Sequence, residues 1–254
     1  MQFLRTLRAV RRTIVLVGVF IYAGTELILT RPKDRVARAD WLHRFCARAI
    51  KRFGIKVDVI GKPPDKGVLI SNHLSYMDIV TFAALHRCVF CSKAEIRTWP
   101  VLGWMTTMAG TVYVERGRGG SAVKAAKGMQ EASAAGLPVI FFPEGTTSNG
   151  EGLLKFHSGL LAQAMASEEP IVPAFIRYHL DQDNGPDVSI ADDVSYWGNR
   201  DMLAHIFKFL GLKGVRVEVR FAEKPIQFSA DVLHRKVAAD EARVAVARVG
   251  GIRV

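Results

Sequence analysis

The chain has 254 residues, 49% of them apolar and 23% charged. That composition folds around a sizeable core and excludes a disordered or fibrous chain. The formal charge is +11, yet residues 1–53 hold 12 Lys/Arg against 3 Asp/Glu and the rest of the chain 23 against 21, so the basicity belongs to one end rather than to a nucleic-acid-binding body.

Inside that end, residues 13–25 (TIVLVGVFIYAGT) form an uncharged apolar run. It is shorter than the ~20 residues a spanning helix needs, although Leu27, Ile28 and Leu29 resume it past Glu26 and allow a tilted span. Arg5, Arg8, Arg11 and Arg12 precede it and Arg31, Lys33, Arg35 and Arg38 follow. With cations on both sides the positive-inside rule gives no orientation, as for a segment whose two ends stay on one membrane face. A cleaved signal peptide fits less well, because Tyr22-Ala23-Gly24 is a poor cleavage site and a basic amphipathic stretch follows. In residues 40–53, Trp41, Leu42, Phe45, Ala49 and Ile50 share one helical stripe while Arg44, Arg48, Lys51 and Arg52 lie mostly elsewhere. This predicts a helix in the membrane interface with that stripe in lipid; the alternative is a helix packed on the protein's own core. Residues 1–53 are therefore expected to form a membrane-associated helical segment on a lipid surface, and residues 54–254 a single α/β domain.

Residues 55–60 and 68–71 read as strands separated by the turn Gly61-Lys62-Pro63-Pro64-Asp65. The second runs into Asn72-His73-Leu74-Ser75-Tyr76-Met77-Asp78. If the chain turns between His73 and Asp78, the carboxylate fixes one imidazole nitrogen and leaves the other to take a proton. The plainer reading is a capping box from Ser75 and Asp78 with His73 in a turn. Residues 78–85 are expected as helix and 88–92 as strand. Cys88 and Cys91 have redox or metal spacing but no second pair, and in a strand-like run they read as buried, inert thiols. With Cys46 they make three cysteines, a sparse and odd set that suits a reducing compartment.

Helix is predicted over residues 99–108 and strand over 111–115, delivering Arg116 at its end. A helix over 121–135 stops at Gly136 and Pro138, and a wholly apolar strand, 139–142, has the look of one buried in a mixed or parallel sheet. After it, Phe142-Pro143-Glu144-Gly145-Thr146-Thr147-Ser148 forms a loop of small polar residues whose N–H groups suit a bound oxygen or phosphate, or an ordinary turn. Helix 158–166, strands 171–178 and 215–221, and a last helix capped by Ser229 and running toward Ala247 complete the reading.

Asn72-His73 with Asp78, residues 110–116 (GTVYVER), residues 142–148 and Val172-Pro173 resemble, in order and spacing, the four motifs of the glycerolipid acyltransferases, which include the 1-acylglycerol-3-phosphate acyltransferases. Lys93, Glu95, Pro100, Gly103 and Trp104 are similar as well, so the likeness spans about residues 68–178. The resemblance implies a mixed sheet flanked by helices behind a membrane-associated helical pair. It implies acyl transfer from acyl-CoA or acyl carrier protein to a lysolipid hydroxyl, without a metal or other cofactor, on the cytosolic side of the cytoplasmic membrane. Carried over, His73 is the general base and Asp78 its orienting carboxylate; Arg116 and Lys93 bind substrate, and Glu144, Gly145 and Thr146 shape the acceptor site. No Gly-x-Ser-x-Gly elbow suggests a serine acyl-enzyme. The first acceptor the resemblance implies is 1-acylglycerol-3-phosphate. One departure bears on that choice: many relatives that use it have Arg where this chain has Thr147, and Glu-Gly-Thr-Thr-Ser is also similar to acyltransferases of lyso-ornithine lipid. The other readings are a lipid hydrolase and a non-enzymatic lipid-binding protein, which would need neither His73 nor Asp78.

Overall fold

The computed structural model describes residues 2–98, 102–114, 121–229 and 234–253, with backbone alone for 93, 102, 121 and 122. The chain begins with two antiparallel helices, α1 (Gln2–Thr30) and α2 (Arg35–Phe53). Asp34 caps α2 by accepting a bond from the Ala37 N–H at 2.8 Å, and Gly54 ends it in the left-handed conformation. The body then alternates β1 (Lys56–Ile60), β2 (Val68–Ile70), α3 (Tyr76–Leu85), β3 (Val89–Lys93), a 3-10 turn (Ala94–Thr98), α4 (Leu102–Met108), β4 (Val112–Val114), α5 (Ser121–Ala134), β5 (Val139–Phe141), α6 (Ser158–Ala166) and β6 (Ile171–Leu180). Two short helices, α7 (Ile190–Asp193) and α8 (Met202–Leu210), lead to β7 (Val215–Phe221) and the last helix, α9 (Arg235–Gly250).

The strands form one sheet of order β1-β7-β6-β2-β5-β3-β4. β6, β2, β5, β3 and β4 run parallel; β7 turns back against β6 and carries β1 beside it. The sheet is mixed, as the sequence implies. Period-two alternation divides its side chains between two cores. Leu69, Phe90, Ile140 and Ile176 face the layer of α1, α2, α3 and α8, while Ile70, Val89, Phe141 and Phe175 face α5, α6 and α9. Strands covered on both faces explain the unbroken apolar runs at β2 and β5. Cys88 and Cys91 fall into opposite cores. All three cysteines are buried and free, and burial pushes their thiols up, that of Cys91 to about 12, as the inert reading expects.

Several expectations about the helices need correction. Trp41, Leu42, Phe45, Ala49 and Ile50 of α2 are buried, not in lipid, and Trp41 donates its indole N–H to the Ala23 carbonyl at 3.0 Å. The stripe was real, but its partner is α3 and the sheet. Buried residues of α1 and α2 lie in one core with those of the strands. Arg5, Arg8 and Arg12 precede the apolar run in α1. They turn inward, Arg5 to Asp193, Arg8 to the Gly211 carbonyl and Arg12 to the carbonyls of Leu210, Leu212 and Phe53. Arg8 and Arg12 thereby satisfy carbonyls left open at the C-terminal ends of α8 and α2. Arg44 and Arg48 pair with Glu26 of α1. Ser229 hydrogen-bonds Glu241, and the N-cap of α9 is His234 rather than Ser229. α7 and α8 were not anticipated. Residues 99–101 and Glu115, expected as helix and strand, lie outside the described residues.

Candidate active site

β2 and β5 are neighbours in the sheet, and the chain leaves them in opposite directions: β2 through α3 to β3, β5 through α6 to β6. Loops at such a divergence open a crevice at the carboxyl ends of the strands. The His73 segment follows β2 and the Glu144 segment follows β5, so the topology alone brings these two stretches together.

Asn72 is buried at the point where β2 leaves the sheet. Its side-chain oxygen accepts from the Ile176 N–H at 2.8 Å, and its amide donates to the Ile176 carbonyl at 3.0 Å. It thus pairs with β6 as a backbone residue would and lets the chain turn with both groups satisfied.

His73 follows, its Nδ1 at 2.8 Å from Asp78 Oδ2. The same oxygen accepts the backbone N–H groups of Leu74 (2.6 Å) and Ser75 (2.9 Å), which makes Asp78 both the cap of α3 and the partner of the imidazole. The two sequence readings of this segment are one arrangement. The other oxygen, Oδ1, accepts the Tyr178 hydroxyl at 2.6 Å. Burial and the nearby Asp78 charge push the Tyr178 phenol well up, so it stays a donor. Asp78 is fully buried, held by two backbone amides, a phenol and the imidazole. An ionised carboxylate so surrounded accepts from Nδ1–H, which leaves the lone pair on Nε2. Nε2 makes no hydrogen bond among the described residues, and the side chain is 16% exposed. The ring lies flat on Phe142, centroids 3.9 Å apart and 5° from parallel, which fixes its plane.

The loop after β5 closes around the His73 backbone. Glu144 Oε1 accepts the His73 N–H at 2.8 Å and Oε2 the Leu154 N–H at 3.0 Å, while the Ser148 N–H donates to the His73 carbonyl at 2.9 Å. Burial raises the Glu144 carboxyl above its usual range, opposed by these two amides. Gly145 adopts φ 67°, which favours glycine, and donates its N–H to the Phe142 carbonyl. Thr146 is exposed, and the N–H groups of Thr146 and Thr147 have no partner among the described residues.

Of the expected site residues, the structure brings His73, Asp78, Glu144, Gly145 and Thr146 together. Glu144 is not turned toward an acceptor, because both its oxygens hold backbone. Lys93 ends β3 opposite Val114, but its side chain lies outside the described residues, as does Arg116. The sequence reading missed Tyr178 altogether and quoted Asn72, Phe142 and Ser148 without roles. For the last three the signal was their place inside the motifs.

Residues 56–177 match the family model Acyltransferase. A lyso-ornithine lipid O-acyltransferase of Pseudomonas aeruginosa is 35% identical over 184 residues, covering 72% of this chain and 67% of that protein. A 1-acyl-sn-glycerol-3-phosphate acyltransferase of Neisseria gonorrhoeae is 36% identical over 124 residues, 47% of this chain and 49% of that one. The crystal structure of the 1-acyl-sn-glycerophosphate acyltransferase of Thermotoga maritima shares the fold, with a TM-score of 0.67 over 99% of this chain and 97% of that one at 22% identity.

Proposed function

The chain belongs to the acyltransferase family of lysolipid O-acyltransferases, and within it we propose that His73 is the general base for transfer of a fatty acyl group from a thioester to a lysolipid hydroxyl. The observation that carries this is the His73–Asp78 pair at 2.8 Å with Nε2 left open. Nε2 removes the acceptor's hydroxyl proton as that oxygen attacks the thioester carbonyl. The tetrahedral intermediate then collapses, and the proton passes from the imidazolium to the departing thiolate. Asp78 holds the tautomer and offsets the imidazolium charge. The free N–H groups of Thr146 and Thr147, rather than the engaged one of Gly145, are the candidate donors to the oxyanion. The reaction so written needs no metal. Acyl-CoA and acyl carrier protein are the candidate donors, and Lys93 and Arg116 the cations that would meet an acidic group of either substrate.

For the acceptor, lyso-ornithine lipid comes ahead of 1-acylglycerol-3-phosphate, which the motifs alone put first. The likeness to the lyso-ornithine lipid enzyme extends over two-thirds of that protein's length. Thr147 also adds no cation to the acceptor loop, as an amino-acid headgroup would tolerate better than a phosphate monoester.

The site of action is the cytosolic face of the cytoplasmic membrane. α1 is long and apolar enough to cross a bilayer. However, its Ala9, Val19, Ala23 and Leu27 are packed on the protein, so it suits the plane of the interface with Phe3, Leu7, Ile14, Val17 and Ile21 outward. Incubating the purified chain with a labelled acyl thioester and a panel of lysolipids tests the reading. Labelled diacyl lipid, with lyso-ornithine lipid the best acceptor, is expected. Free fatty acid alone would make the protein a hydrolase, and no product a binding protein.

A further inference from the structure

α8 has the sequence MLAHIFKFL. It buries His205, Phe209 and Leu210 and leaves Leu203, 76% exposed, and Phe207, 38% exposed, one turn apart on its outer face. Phe3 and Leu7 of α1 are outward too, in the stretch whose Arg5 and Arg8 bond to Asp193 of α7 and to Gly211 at the end of α8. Phe209 and Leu210 lie in the same core cluster as Val19, Ala23 and Leu27 of α1, so the outer faces of both helices look away from one core. The two helices are bound together through Arg8 and Arg12, which donate to the carbonyls of Gly211 and Leu210 at 2.6 and 3.2 Å.

Cations gather where the two helices join: Lys208 is on α8, Arg11 on α1, and Lys51 and Arg52 precede Phe53, whose carbonyl shares Arg12 with that of Leu210. Arg11, Lys51, Arg52 and Lys208 are exposed, and none makes a side-chain hydrogen bond or ion pair among the described residues. The nearby carboxylates are engaged, Asp201 as the N-cap of α8 and Asp192 with Arg200. An apolar surface accompanied by uncommitted cations matches an anionic bilayer and would repel a second copy of itself.

The segment leading into α8 also touches the catalytic loop. The Tyr196 N–H donates to the carbonyl of Leu74, next to His73, at 2.8 Å. His205 Nε2–H donates to the Ser195 carbonyl at 3.0 Å, so its Nδ1 accepts the hydroxyl of Tyr76, the first residue of α3, at 3.2 Å.

We propose that α8 is a second lipid-contacting element, which with α1 seats the His73 loop on an anionic bilayer, where a lysolipid acceptor resides. The activity arm of its test rests on the acyl-transfer reading above; the binding arm does not. The test compares the full chain with its Leu203→Glu/Phe207→Glu variant on phosphatidylcholine–phosphatidylglycerol vesicles. Vesicle binding should weaken at least ~10-fold, since two apolar side chains leave the interface and two anions enter it. Transfer to an acceptor held in vesicles should fall by a similar factor, and transfer to a short-chain, monomeric acceptor should be unchanged. The milder Leu203→Ala/Phe207→Ala variant should lie between. Unaltered vesicle binding, or equal losses on both acceptors, would overturn the proposal. So would a concentration-dependent dimer of the wild type that the variant abolishes, which would give this face to a second copy. A wild type inactive on both acceptors but with the expected binding difference would overturn the acyl-transfer reading alone.

Discussion

Tyr178 reaches Asp78 from a strand 100 residues further along the chain, and its phenol is the only side-chain partner of Oδ1 among the described residues. Tyr178→Phe removes a bond to a buried charged group and should lower stability by about 1.5–3 kcal/mol. If the bond also steadies the imidazole, kcat should fall with KM nearly unchanged; denaturant melts and steady-state kinetics read the two separately. No local pattern could have flagged Tyr178, since its partner is set by the sheet order. His73 and Asp78 were legible because five residues separate them and the motif is local. Glu144 was legible as a site residue but not in its task, because a carboxylate's partners here are backbone amides, which carry no sequence signal. Burial raises its folded-state pKa above the unfolded value, so over that window the native state binds more protons than the unfolded one. Its contribution to stability therefore grows as pH falls through the window, and Glu144→Gln should flatten that part of the stability–pH curve. Glu144→Ala should cost more, about 1–3 kcal/mol in all, because it orphans the part-buried N–H groups of His73 and Leu154.

At the scale of elements, α1 and α2 show how far periodicity goes. Both present an apolar stripe at helical spacing, and the sequence reading assigned the stripe of α2 to lipid. Periodicity gives the face; which surface covers it depends on the tertiary partner. In α2 the stripe meets α3, whereas in α1 a second stripe is exposed. The two are separable by substitution. Trp41→Ala in α2 should cost ~3–5 kcal/mol, as for a large buried aromatic. Ile14→Glu in α1, 69% exposed, should leave the melting curve almost unmoved and weaken vesicle binding. Strong destabilisation by Ile14→Glu, or none by Trp41→Ala, would reverse the two assignments. α8 escaped notice because nine residues give few periods to count. The parallel strands were legible as apolar runs closed by turn residues.

Over the whole molecule, the sheet order gives the account its centre. Nothing in the sequence placed β2 beside β5, yet that adjacency brings the Asn72–Asp78 and Phe142–Ser148 segments into one crevice and leaves His73 Nε2 open. α8, tied to the His73 segment through His205, and α1, tied to α8 through Arg8 and Arg12, both carry apolar side chains outward. Fold, site and surface fit the proposal that His73 works as a base at a lipid boundary. The most direct test is the turnover of His73→Ala, folded as judged by its melting curve, with a labelled acyl thioester and the best lysolipid acceptor. A loss of at least ~10²-fold in kcat, the usual contribution of a positioned base, is the result expected; near-normal diacyl lipid formation by that variant would contradict it.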